Sequence, residues 1–152
     1  MKRQGFTLIE MLAVITILGI VMAVAAPPYL RYLQSLTVQQ AAQQFARDAD
    51  QARSQAKQTN TCRVFSYVNA TTYSVASYTT PNCSGTATTQ VTTMPTTTVL
   101  TLRSTQASAM FVPPYGINST GTPLDVTVAS TAGTTTTAAL RITGIMGSVV
   151  SQ

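Results

Sequence analysis

Between Phe6 and Ala26 the chain reads FTLIEMLAVITILGIVMAVAA, 21 residues interrupted only by Thr7, Glu10, Thr16 and Gly19. As a helix this run is about 31 Å long, close to the hydrocarbon thickness of a bilayer. Lys2 and Arg3 precede it. Positive charge stays on the cytoplasmic side, so this pattern predicts a single-pass anchor with the C-terminal body across the membrane.

Two simpler readings compete. A secretory signal has an apolar region of about 7–15 residues and ends in an A-x-A-like site. This run is longer, and Val24-Ala25-Ala26 before Pro27 is an imperfect match. A plain anchor gives no reason for Glu10. A carboxylate within a membrane helix costs about 2.5–3.5 kcal/mol on insertion scales, so a partner has to compensate it.

Gly5-Phe6-Thr7-Leu8-Ile9-Glu10-Met11, behind a short basic leader and ahead of an apolar run, resembles the class III signal of type IV pilins and type II secretion pseudopilins. The resemblance implies cleavage by a prepilin peptidase between Gly5 and Phe6, N-methylation of Phe6, and retention of the helix. Residues 1–5 are then a leader and residues 6–26 the membrane and filament-core helix. Cleavage leaves a cationic amine on Phe6. In a stack of offset subunits that amine approaches Glu10 of a neighbour, and two charges that are costly alone pair in a low dielectric. Glu10 is thus expected to set assembly registry. Pro27-Pro28 falls where family members often kink, and a double proline suggests a stronger interruption, even a local melt.

Leu30, Leu33, Val38, Ala41, Ala42, Phe45, Ala49, Ala52 and Ala56 then recur mostly at steps of three or four, with Gln and charged residues opposite. This predicts an amphipathic helix over 29–57, within a 27–57 segment, whose Ala-rich stripe lets a sheet approach closely. Asn60 suits a left-handed cap and Lys57 the helix dipole.

From 58 to 152 the pattern is a β-rich head. Strands are expected at 63–68 and 71–78 around an Asn69-Ala70 turn, and at 97–103, 109–112, 124–129, 139–143 and 147–150. The stretches 79–95, 113–123 and 130–137 read as connections, and the Thr-rich stretch 86–98 allows a low-complexity loop. The fold class is α+β: a long N-terminal helix on an antiparallel sheet head. Cys62 and Cys83 fit no zinc or redox spacing. Outside the cytoplasm a disulfide between them is the default, with two free thiols as the other reading.

Gln51-Ala52-Arg53-Ser54-Gln55-Ala56-Lys57 is similar to an A-R-S-x-A element of the GspH/FimT class of minor pilins. Phe111–Gly116 resembles that class's strand and glycine turn, and 140–150 its closing hairpin.

Composition narrows the function. The chain has no His, only 4 Asp+Glu and a net charge of +5. Without His there is no Ser-His-Asp triad, Cys-His pair or His metal site, so neither an enzyme, a metal site nor a cofactor is expected. The expected partners are the prepilin peptidase, other pilin or pseudopilin subunits and the inner membrane. A DNA-binding minor pilin for natural transformation is an alternative, but it needs clustered cations. Arg63, Arg103 and Arg141 are each isolated in the sequence. A plain membrane-anchored surface protein is the remaining alternative.

Overall fold

The computed structural model describes residues 7–118, 122–132, 136–143 and 149–151, with only the backbone at 117, 118 and 149–151. Contacts divide the chain into two units, Met1–Leu33 and Gln34–Gln152.

Helix α1 runs from Leu8 to Thr59 and contains Pro27 and Pro28. The melt expected at the double proline does not occur. Only two donors are missing there, opposite the carbonyls of Ala23 and Val24, and the flanking turns keep theirs. The helix ends two residues later than expected, and Asn60 takes a left-handed conformation with φ 53°. In the first unit every described helical residue from Leu8 to Leu33 is exposed. Leu30 and Leu33, placed on the core stripe by periodicity, are 58% and 40% exposed, so the buried stripe starts only at Val38.

The second unit carries two antiparallel sheets. Strands β1 (Arg63–Asn69), β2 (Thr72–Tyr78), β3 (Ala87–Thr93), β5 (Ser108–Val112) and β6 (Ile117–Asn118) form one, in the order β3-β2-β1-β5-β6. Strands β4 (Thr98–Leu102), β7 (Leu124–Ser130), β8 (Thr137–Ile142) and β9 (Val149–Ser151) form the other, in the order β4-β7-β8-β9. β3 and β6 fall within segments read as connections. β3 has six exposed residues out of seven, so burial imposes no apolar alternation on it. Its β-branched Thr and Val residues suit a strand nonetheless. Of the segment expected at 147–150, residues 147 and 148 lie outside the described residues.

The core joins the helix stripe Val38, Ala41, Ala42, Phe45, Ala49, Ala52 and Ala56 to both sheets. Phe45 meets Phe65 edge-on at 4.9 Å and Tyr73 at 5.1 Å, while Phe65 and Tyr73 stack at 5.3 Å. Such pairs add about 0.5–1.5 kcal/mol beyond the area they bury. Alternation in the second sheet is regular: Leu124, Val126 and Val128 point inward, and Asp125 and Thr127 lie between them.

Candidate functional site

Glu10 sits in the first turn of α1. Its N–H donates to Thr7 Oγ1 at 3.3 Å, and the Thr7 hydroxyl makes a long 3.5 Å contact with Glu10 Oε2. This is one half of a capping box, in which the residue before the helix satisfies an orphan N–H. Thr7 is therefore a partner that the sequence reading missed, although T-x-x-E ahead of an apolar run carries the signal. Gly5 and Phe6, the expected cleavage and methylation residues, lie outside the described residues. Thr16, the other hydroxyl in the run, donates to the Ala13 carbonyl at 2.8 Å and so keeps its polar group inside the helix.

Cys62 and Cys83 are disulfide-bonded, with a Cα–Cα distance of 5.0 Å. Cys62 is buried where the chain leaves α1, and the bridge ties it to the segment leading into β3.

Two of the internal sequence elements meet in space. Arg53 Nε donates to the Gly116 carbonyl at 3.2 Å. Gly116 has φ 62°, and a Cβ there would come within 2.9 Å of Arg53 Cγ and of Lys57 Cε. Only glycine combines that backbone with that approach.

The arginines are less isolated than the sequence reading had them. Arg141 grips Asp125 with two hydrogen bonds, of 2.8 and 2.9 Å. Asp125 also accepts the Arg103 backbone N–H at its carbonyl, at 2.8 Å. Arg103, one residue past the end of β4, thus lines up with Asp125 on β7 and Arg141 on β8, beside a cavity of about 290 Å³. The hydrogen bond from Arg141 holds the Asp125 carboxyl below its ordinary range, helped by the charges of Arg141 and Arg103. Arg63 stays apart from that row and reaches Ser77 Oγ through Nη1.

Beneath the first sheet, Tyr73 donates to Asp48 Oδ2 at 2.6 Å. Burial, then the hydrogen bond and charge of Asp48, push the Tyr73 phenol far above its ordinary range. These are structural bonds. Among the described residues no three His, Cys, Asp or Glu side chains gather to hold a metal.

A long N-terminal helix on antiparallel sheets is the pilin architecture, and residues 1–26 match the prokaryotic N-terminal methylation motif. The chain is similar in structure to the type IV minor pilin FimU of Pseudomonas aeruginosa PAO1 in two crystal forms. The TM-scores are 0.57 and 0.59 at 14% identity, covering 75% and 76% of this chain and 91% and 87% of FimU. The motif match is confined to the N-terminal 26 residues, and the likeness to FimU shows the pilin fold. No curated protein sequence matches the chain.

Proposed function

We propose that this chain is a minor pilin, cut by a prepilin peptidase after Gly5, methylated at Phe6 and assembled into a type IV pilus. A type II secretion pseudopilus is the related destination. Before assembly it spans the bacterial inner membrane once, with its head outside the cytoplasm. Other subunits of the filament are its partners, and Pro27-Pro28 lets the helix bend as it packs among them.

The observation that carries this reading is Glu10. It lies in an 18-residue-scale apolar window of mean hydropathy 2.6, none of it buried within the chain. Its local partner is a neutral hydroxyl at 3.5 Å. Thr7 satisfies part of the carboxylate in the lone subunit, and the amine of a neighbour completes it in the filament. Glu10→Leu is expected to insert in the membrane at wild-type levels and to be missing from sheared filaments. Normal incorporation would overturn the registry role. Mass spectrometry of the membrane form tests processing, because a methylated Phe6 start separates a pilin from a plain anchor.

DNA binding has weaker support. Arg141 is already paired with Asp125, which leaves Arg103 as the unpaired cation of that row.

A further inference from the structure

Among the described residues four strands end the two sheets, and three are closed or short. Within those residues β6 has two and β9 three. β4 has five, and two of its three outward N–H groups are taken within the chain: Thr98 N–H donates to the Pro95 carbonyl at 2.9 Å and Leu100 N–H to the Ala70 carbonyl at 2.7 Å. β3 is different. It has seven residues, no proline and no charge, and it is exposed along nearly its whole length. Natural sheets usually blunt such an edge with a charge, a proline, a bulge or a covering segment.

The hydrogen-bond phase of β3 follows from its surroundings. Met94 N–H donates to the Thr71 carbonyl at 2.8 Å, and the register pairs Tyr73 with Thr92 and Val75 with Gln90 without a shift. Even-numbered residues of β3 therefore bond to β2. Ala87, Thr89, Val91 and Thr93 direct their N–H and C=O groups away from the sheet. This row is symmetric about Gln90. If a second β3 runs antiparallel beside it, Ala87 faces Thr93 and Thr89 faces Val91. Every such pair is of the hydrogen-bonded type, giving about eight bonds between the chains. The uncharged strand brings no repulsion to its own copy.

We propose that β3 is a self-pairing edge: two copies of this chain join through antiparallel β3 strands centred on Gln90, making one sheet that runs through both heads. The pairing is two-fold and closes on itself, so it cannot propagate along a filament. If the chain is a pilin, as proposed above, the dimer is a form of the membrane-held pool that must open before assembly. The pairing itself does not depend on that role.

The test uses the full-length protein in native membranes. At the two-fold axis the two Gln90 residues form a non-hydrogen-bonded pair with a Cα separation of about 4.5 Å, close enough for a disulfide after substitution. Gln90→Cys is expected to give a reductant-sensitive band of doubled mass under mild oxidation. Thr88→Cys faces Thr92 of the other copy and should give at least tenfold less. Adding Val91→Lys to Gln90→Cys should lower the dimer at least tenfold. In each variant, resistance of Cys62 and Cys83 to alkylation reports that the head is folded. Three results overturn the proposal: a folded Gln90→Cys chain that stays monomeric, equal cross-linking from Thr88→Cys, or a cross-link to some other protein in place of a second copy. Light scattering of the wild-type chain in detergent gives a separate reading, with a dimer mass expected and a monomer overturning the pairing. Wild-type N-terminal processing with no dimer would refute the pairing alone.

Discussion

Helix α1 contains two lessons in burial. From Leu8 to Leu33 it is the most apolar part of the molecule, and every described side chain there is exposed. From Gln34 to Thr59 it is rich in Gln, Ala and charge, yet seven of its residues are buried. Hydrophobicity alone therefore does not place a residue in this chain's core. Spacing and small size do, because a stripe of alanines with one Phe45 lets two sheets close over it. No described side chain of the first half is buried, which fits the membrane and filament role proposed above.

That contrast can be broken by substitution. Phe45→Ala removes the ring that touches both Phe65 and Tyr73. It should lower stability by about 3–5 kcal/mol in denaturant titration of the full chain in detergent. Leu18→Ala, an equally drastic truncation in the other half, should shift the same curve by under about 0.5 kcal/mol. If both residues behaved alike, the division of the helix would be wrong.

The remaining tests sharpen the picture of the head. Replacing Cys62 and Cys83 together by Ser reopens a loop spanning a sequence separation of 21. This should cost about 3 kcal/mol in the chain-entropy account. Tyr73→Phe removes a hydrogen bond to a carboxylate and should cost about 1.5–2 kcal/mol near neutral pH. Its pH signature has a definite sign. Burial and Asp48 keep the phenol protonated in the folded state, whereas the unfolded chain releases that proton from about pH 10. The phenol's contribution is intact below pH about 10 and declines as the pH climbs above it. Tyr73→Phe should flatten that alkaline decline. The smallest effect is expected from Asp125→Asn, because the pair with Arg141 is partly exposed. Arg141 keeps the Asp125 carboxyl ionised to lower pH in the folded state than in the unfolded chain, so the pair contributes above pH about 4 and fades as the pH falls below it. The substitution should remove that acid limb from a stability–pH curve.

Local pattern made much of this legible. The apolar run, the stripe from Val38 to Ala56 and the Asn60 cap all follow from residues close together in sequence, and so does the first hairpin, although its turn falls at Ala70-Thr71, one residue past the expected Asn69-Ala70, because Asn69 still pairs with Thr72. Periodicity over-reached at Leu30 and Leu33, which keep the spacing of the stripe but are exposed. It under-reached at β3, where nothing is buried and so no alternation exists to read. The Arg103-Asp125-Arg141 row was hidden for another reason. Its members come from the end of β4 and from two other strands, and their meeting depends on a register that no single stretch of sequence encodes. The disulfide was open to two readings until the fold put the two cysteines side by side.

The Ala70 carbonyl, at the tip of the first hairpin, receives the N–H of Leu100 on the rim of the second sheet. That single bond makes the hairpin tip a latch between the two layers. A lesion at residues 69–71 would loosen not only its own turn but also the start of β4, and amide exchange at Leu100 would register damage done in the other sheet.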